Sequence, residues 1–182
     1  MSAISVIFLL SSLLGSPKAD PCLIIQEKSI TINGNTSLGG FSCDYEVAGK
    51  GDTLHINTLH ISPYSFTIPV EAFECGNFIL NRDFQSTLKA KTHPKVTVEV
   101  LSLEEKEPGT MKGNIRLSLV GKSKTLENIE FCMKLDKTRQ VLSADFVFYA
   151  SEFKLTPPRK LGGLIKAEDA MDITVSLVLK PA

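Results

Sequence analysis

The sequence predicts an all-β protein, an antiparallel barrel of about eight strands with one short helix. The clearest observation is the last segment, in which apolar residues from Met171 to Leu179 alternate with Asp172, Thr174 and Ser176. A period of two is typical of a strand with one buried and one solvated face. Similar short segments recur between turn residues, and about eight strands enclose a space just wide enough for side chains or one ligand.

Composition limits the classes of function. The chain has 182 residues, 43% of them hydrophobic, which fits one domain behind a short leader. Lys and Arg together number 20, as do Asp and Glu, so no net charge attracts nucleic acid or an anionic membrane. The chain has no nucleophile elbow, zinc-protease helix motif or phosphate-binding loop, and we predict no catalytic residue, no cofactor and no metal.

Residues 1–19 resemble a secretory signal peptide, which leaves residues 20–182 as the mature domain. The apolar run at residues 4–14 is too short to span a bilayer, and Ala19 is a suitable last residue before cleavage. We therefore expect a periplasmic or secreted protein without an integral membrane span in the mature chain. The alternative interpretation is a buried first strand, because no Lys or Arg precedes the apolar run.

The four cysteines are predicted to form disulfides in an oxidising compartment. Cys22, Cys43, Cys75 and Cys132 allow three pairings, and they lack the close spacing of a zinc or thioredoxin-like site. We favour Cys43 with Cys75 and Cys22 with Cys132. Cys132 lies among the polar positions of its strand, which places it on an outer face that an N-terminal segment can reach.

The strands follow from alternation and turn residues. Residues 23–32 form the first predicted strand, and Asn33–Gly34 is the dipeptide preferred by a type I′ hairpin turn into residues 37–47. The remaining strands are predicted at residues 53–62, 66–70, 95–103, 110–121, 125–135, 139–150 and 171–179.

Residues 74–94 contain the one predicted helix. Asn81 is a good N-cap residue, and Phe84 and Leu88 share a face at the i, i+4 spacing. Because the apolar stripe is narrow, we expect the helix to cover an opening of the barrel. This segment and residues 151–166 are the two candidate lids.

Several motifs together resemble the YceI-like lipid/polyisoprenoid-binding family over nearly all of the chain after the leader. They are Pro69-Val70 with Phe73, the segment 80–84 (LNRDF), His93-Pro94, the segment 113–121 (GNIRLSLVG) with Lys122 and Lys124, and the segment 151–166 (SEFKLTPPRKLGGLIK). The resemblance implies a lipocalin-like barrel whose lumen holds a polyisoprenoid or isoprenoid quinone. The surroundings of Cys43 and Cys75 resemble a cysteine-bearing branch of the family.

The inward-facing apolar residues are the predicted ligand site, in which a lipid-like molecule is bound, transported or stored without catalysis. They are Val98, Val100, Ile115, Leu117, Phe131, Phe146, Phe148, Val175 and Leu177. Phe153, Arg159 and Lys160 are candidate residues of the mouth. Alternation alone does not distinguish such a lumen from a packed core.

Two rival hypotheses remain. One is an envelope or stress-response structural barrel with a filled core, whose surface binds another protein. The other is an enzyme with a polar group facing the lumen, although no partner is evident for His55, His60 or His93. The predicted partners are an apolar lipid-like molecule and, as a candidate assembly, a second copy of the chain.

Overall fold

A computed structural model describes residues 22–49, 52–55, 64–136, 139–156, 159–160 and 165–181. The elements in chain order are β1 (Cys22–Thr36), β2 (Gly39–Ala48), β3 (Thr53–His55), β4 (Tyr64–Pro69), α1 (Phe78–Thr87), β5 (Lys95–Glu107), β6 (Thr110–Leu119), β7 (Lys122–Asp136), β8 (Arg139–Tyr149), β9 (Arg159–Lys160) and β10 (Ile165–Pro181).

The strands form one antiparallel sheet, which confirms the predicted all-β class. Eight strands follow the order β2-β1-β10-β8-β7-β6-β5-β4, with β3 paired to β1 and β9 to β10. The sheet curls into a half-barrel whose inner face carries the alternating apolar residues. In β10, for example, Ile173 and Leu177 are buried, whereas Asp172 on the other face is exposed.

A seam separates the two end strands of this path, β2 and β4. The Cys43–Cys75 disulfide crosses it, with the two Cα atoms 4.0 Å apart, and confirms that predicted pair. Beside the disulfide, the backbones of Asp44 and Glu74 exchange hydrogen bonds of 2.9 and 2.8 Å. Closing a loop of 32 residues gives a disulfide a stabilising effect of about 4 kcal/mol in the chain-entropy model. A covalent link therefore holds the seam.

The second predicted disulfide, Cys22 with Cys132, is wrong. Cys132 is a free, half-buried cysteine of β7. It aligns across β8 and β10 with Ser29 of β1, through Ser143 and Ser176. Three strand spacings of about 4.8 Å already exceed the roughly 7 Å that a disulfide spans between Cα atoms. Cys22 lies further away still, towards the start of β1.

The predicted turn at Asn33–Gly34 is also wrong, because β1 continues to Thr36. Gly34 lies within the strand, where a Cβ atom would be 2.4 Å from Cζ of Phe41. The dipeptide thus makes room for an aromatic ring and does not reverse the chain. The reversal follows Thr36, whose Oγ1 donates to the carbonyl oxygen of Gly39 at 2.9 Å.

The helix is shorter than predicted and begins at a different cap. Asn77 is the N-cap of α1, and its Oδ1 accepts hydrogen bonds from the amides of Ile79 and Leu80, both at 3.0 Å. Asn81, the predicted cap, lies inside α1. Its side chain accepts from the Cys75 amide at 2.6 Å and donates to the Glu74 carboxylate at 2.9 Å. Asn81 therefore ties α1 to the seam.

Several predicted strand boundaries differ from the structure. β10 begins at Ile165, before the predicted start at residue 171, because the chain pairs with β9 and with the end of β1 before the strict alternation begins. The strand predicted at residues 53–62 is described only as β3, and the rest of it lies outside the described residues, as do the Pro157–Pro158 and Gly162–Gly163 pairs.

The interior divides into two hydrophobic clusters. The helix-side cluster includes Ile30, Ile68, Phe73, Leu119, Phe148 and Phe153, and half-buried residues of α1 pack against it. The far cluster, towards the opposite end of the barrel, includes Ile25, Leu54, Val100, Phe131, Leu142 and Leu177. The interior is therefore made of two separately packed regions.

Candidate ligand-binding site

A cavity of about 100 Å³ lies inside the helix-side cluster. We call it the inner chamber. Its walls are exclusively apolar: Ile30, Ile32, Phe66, Ile68, Phe73, Phe84, Leu88, Val96, Val98, Ile115, Leu117, Leu119, Phe146, Phe148, Met171, Ile173 and Val175. These side chains come from six strands of the curled sheet (β1, β4, β5, β6, β8 and β10) and from the region of α1, so the chamber forms only when the sheet is curled and covered.

Most of the predicted lumen residues line this chamber, namely Val98, Ile115, Leu117, Phe146, Phe148 and Val175. The other three, Val100, Phe131 and Leu177, also belong to the inward face, but they lie in the far cluster. They are 8%, 8% and 7% exposed and line neither the inner chamber nor the groove described below. The structure therefore places these three in packed core.

The predicted mouth residues have a different outcome. Phe153 is 2% exposed, and its ring stacks on that of Phe148 with the centroids 5.2 Å apart, so its placement at a mouth was wrong. It belongs to a short 3₁₀ turn, Ala150–Phe153, that turns the ring into the core. The backbones of Arg159 and Lys160 form β9, and their side chains lie outside the described residues.

A second cavity, which we call the outer groove, has a volume of about 350 Å³. It lies between α1, the turn from β1 to β2, and the start of β10. Its walls are Thr36, Leu38, Gly39, Gly40, Phe41, Cys43, Ile79, Leu80, Asp83, Phe84, Thr87, Leu88, Ala150, Leu155, Ala167, Glu168 and Met171. The groove was missed by sequence reasoning, because its walls combine helix and turn positions with strand ends that are distant from them in the chain.

Three side chains line both cavities, and we call them the partition: Phe84 of α1, Leu88 at the C-cap of α1, and Met171 of β10. All three are half-buried, and α1 has no fully buried residue. A methionine side chain is flexible, and a helix without buried anchors moves at low cost. The partition is therefore the element that separates the inner chamber from the outer groove.

The helix α1 covers the chamber as its narrow apolar stripe predicted. The ring of Phe84 packs 5.1 Å from that of Phe73, which in turn packs 5.5 Å from that of Tyr45 in β2. This row of aromatic rings crosses the seam on the inner side of the disulfide. The other candidate lid, residues 151–166, contributes Leu155 to the wall of the outer groove.

A buried cation lies within the barrel, on the same face of β1 as Ile30. Lys28 is 8% exposed, and its Nζ donates a hydrogen bond to Oδ2 of Asp52. The Tyr64 hydroxyl donates to the same oxygen at 3.0 Å. Nζ also lies 5.1 Å from the ring centroid of Phe66, a wall residue of the inner chamber. The polar cluster Lys28–Asp52–Tyr64 therefore borders the chamber without lining it.

The same contacts set the protonation of this cluster. Burial opposes the charge of Lys28, but the hydrogen bonds and charges of Asp52 and Tyr64 outweigh it and raise the pKa of Lys28 above 10.5. Burial raises the pKa of Tyr64 above 10.0, against the opposing effect of Lys28. At neutral pH the cluster thus holds a protonated lysine and a neutral tyrosine. Sequence reasoning missed Lys28, although its spacing from Ile30 places it on the inner face.

The described part of the chain contains no group of three or more His, Cys, Asp or Glu side chains placed to hold a metal ion. His93 lies at the edge of a shallow hollow beside the turn from β6 to β7. The side chain of His55 and all of His60 lie outside the described residues. Within the described ranges, no helix is long and apolar enough to cross a membrane.

Comparison with known proteins gives a consistent result. A model of the YceI-like domain matches residues 27–179. The crystal structure of Burkholderia cenocepacia BcnA has a TM-score of 0.61 at 15% sequence identity, covering 83% of this chain and 95% of that one. A Campylobacter jejuni YceI protein has a TM-score of 0.53 at 17% identity, covering 71% and 78%. The search of curated proteins found no match.

Proposed function

The chain belongs to the YceI-like family and has the barrel of a binding protein, and from this premise we propose that it binds and carries or stores a long apolar lipid. The proposed ligand class is a polyisoprenoid or an isoprenoid quinone. Binding is an equilibrium partitioning of the apolar tail into the barrel, without a chemical step.

The observation that carries this proposal is the pair of cavities that share the partition. An apolar cavity of roughly 150 Å³ holds a benzene molecule, so the inner chamber alone is too small for a lipid tail. A tail that lies in the outer groove and passes between Phe84, Leu88 and Met171 reaches the chamber. Burial then contributes about 25 cal/mol per Å² of apolar surface, and no polar recognition is needed along the tail.

A non-enzymatic function is part of the proposal. Every wall residue of the inner chamber is apolar, so a tail held there meets no acid, base or nucleophile. Lys28 and Tyr64, which border the chamber, are engaged with Asp52 near the ring of Phe66. Their arrangement supports a structural role at the continuation of the seam beyond β2, where Asp52, just before β3, links Lys28 of β1 to Tyr64 of β4.

We also propose that residues 1–19 are a cleaved signal peptide and that residues 20–182 function in the periplasm or outside the cell. The Cys43–Cys75 disulfide supports an oxidising compartment. The family match begins at residue 27, after the proposed leader. A homodimer stays a prediction, which light scattering on the purified mature chain would test.

The test is uptake of a prenyl quinone by the mature protein, followed by mass spectrometry under native and then denaturing conditions. We expect a one-to-one adduct that is lost on denaturation. Val175→Phe fills the inner chamber and should weaken uptake at least about tenfold, whereas Val147→Phe, on the exposed face of β8, should not. A wild-type protein that forms no adduct would contradict the proposal and favour the structural barrel, to which the packed far cluster is suited.

A further inference from the structure

We propose that the rim of the outer groove docks on an anionic lipid bilayer, so that the ligand passes between membrane and groove without crossing water. We define the rim as Leu38, Phe78, Ile79, Arg82 and Lys166. This inference rests on the proposed function, because only a poorly soluble ligand needs such a transfer. It goes beyond that function in assigning a surface and a partner.

The rim exposes three large apolar side chains. Leu38 is 75% exposed, Phe78 is 76% exposed and Ile79 is 54% exposed. They come from two separate elements, because Leu38 occupies the turn between β1 and β2, whereas Phe78 and Ile79 begin α1. Leu38 and Ile79 also line the outer groove, so the apolar surface continues from its wall to solvent. Grouped exposed apolar residues of this kind are typical of an interaction surface.

A cation accompanies the apolar residues on each side of the groove. The guanidinium carbon of Arg82 lies 5.8 Å from the ring centroid of Phe78. On the other side, the exposed Lys166 is fixed beside Leu38 by backbone pairing, since the Ser37 amide donates to the Lys166 carbonyl oxygen at 3.1 Å. Basic residues beside apolar ones match the interface of an anionic bilayer, where the apolar groups enter and the cations meet phosphates.

Three acidic side chains lie near the rim without belonging to it. Asp83 and the exposed Glu168 lie on the groove wall, and Glu74 accepts a hydrogen bond from Asn81. The opposite end of the barrel provides a natural comparison. Leu135, near the end of β7, is 74% exposed, as much as Leu38, but it lies away from both cavities. If exposure alone decided vesicle binding, Leu135 would contribute as much as Leu38. The rim proposal predicts that Leu135 does not contribute.

The experiment is co-sedimentation of the full mature, ligand-free protein with vesicles of equimolar phosphatidylcholine and phosphatidylglycerol. The triple variant Leu38→Ser, Phe78→Ser, Ile79→Ser should bind at least about tenfold more weakly than the wild type, and Leu135→Ser should bind like it. Arg82→Ala should bind these vesicles more weakly than the wild type, and its binding should depend less on salt concentration. Circular dichroism and the intact disulfide mass would confirm that each variant is folded.

A second measurement separates this inference from the proposed function. Phe78 does not line the groove, so Phe78→Ser should take up dispersed prenyl quinone normally while binding vesicles more weakly. A wild type that takes up quinone but does not sediment with vesicles would overturn the docking surface and leave the carrier function in place. Equal loss of binding in Leu135→Ser would also overturn it, as would a triple variant that changes only the oligomeric state. Vesicle binding without quinone uptake would overturn the carrier function instead.

Discussion

The two ends of the barrel interior have the same sequence pattern and different packing. In the far cluster, Phe131 and Leu103 fill the space beside Gly113, where an added Cβ atom would be 3.2 Å from each of their side chains. In the helix-side cluster, the sheet is covered by α1. Phe84 of α1 and Leu88 at its C-cap line the inner chamber, and Leu80 packs against the cluster beside them. The Phe131 ring over Gly113 leaves little space in the far cluster. At the other end, the short helix α1 covers the sheet and leaves the inner chamber beneath it.

The difference shows that the cavity depends on how the barrel end is covered. The strands at both ends alternate apolar and polar residues, and both sets of inner residues are aliphatic or aromatic. At the helix-side end, the cover is held by the disulfide and by Asn81 at one end of α1. A cavity forms there because the cover is attached at its start and has no fully buried residue over its length.

The largest expected effect comes from making the same substitution at both ends. Leu142, 2% exposed in the far cluster, should lose about 2–5 kcal/mol of unfolding free energy on Leu142→Ala. Leu117→Ala should cost about 1–2 kcal/mol less, because that side chain already faces the inner chamber and forfeits fewer contacts. Urea denaturation of the ligand-free protein measures both values. Equal losses would mean that the two ends are packed alike.

The next effect concerns the partition, and it compares two methionines. Met171→Ala should widen the passage between the inner chamber and the outer groove, and so favour longer prenyl tails over short ones by about fourfold in affinity. Met133→Ala, a half-buried far-cluster position, should leave the preference for tail length unchanged. Competition between prenyl quinones of different length measures the preference. An unchanged preference in Met171→Ala would show that the partition does not control entry.

Much of the fold was predictable because strand alternation is a local signal. The sheet, the inward-facing residues of β5, β6, β8 and β10, and the Cys43–Cys75 pair were all predicted from the sequence and its family resemblance. The errors arose where contacts with other segments of the chain determine the local structure. Asn33–Gly34 has the sequence of a turn, but the Phe41 ring needs the space at Gly34. Asn81 has the sequence of a cap, but the Cys75 amide uses its side chain.

The site was predictable only in part for the same reason. Alternation places Val98 and Val100 on one face, but it does not indicate that the first borders a chamber and the second packs in the core. The outer groove forms only when α1 comes to lie beside the β1–β2 turn, two elements far apart in sequence. Lys28 is a position that alternation places on the inner face of β1, although a charged side chain is rarely buried. Its burial depends on Asp52 and Tyr64, which are distant in sequence and provide its partners.

The smallest expected effect is a loss of stability at alkaline pH, which comes from the Lys28–Asp52–Tyr64 cluster and not from the hydrogen-bonded strands. Lys28 and Tyr64 both have raised pKa values in the folded state, so the folded protein keeps these protons after the unfolded chain has begun to release them. Their contribution to stability is therefore complete below about pH 10 and is lost as the pH rises through the folded pKa values. Urea denaturation at about pH 8 and about pH 11 should show this loss in the wild type.

Replacing the lysine should flatten this dependence. Lys28→Met removes one of the two titrating groups and should reduce the alkaline loss of stability, whereas the exposed Lys112→Met should retain it in full. If both variants lose stability as steeply as the wild type, the Lys28–Asp52–Tyr64 cluster does not hold the seam at high pH. If the unfolding free energy of Lys28→Met alone depends less on pH, this end of the seam depends on a titratable contact. The Cys43–Cys75 end depends on a covalent bond. The backbone hydrogen bonds between neighbouring strands contain no group that gains or loses a proton between about pH 8 and about pH 11.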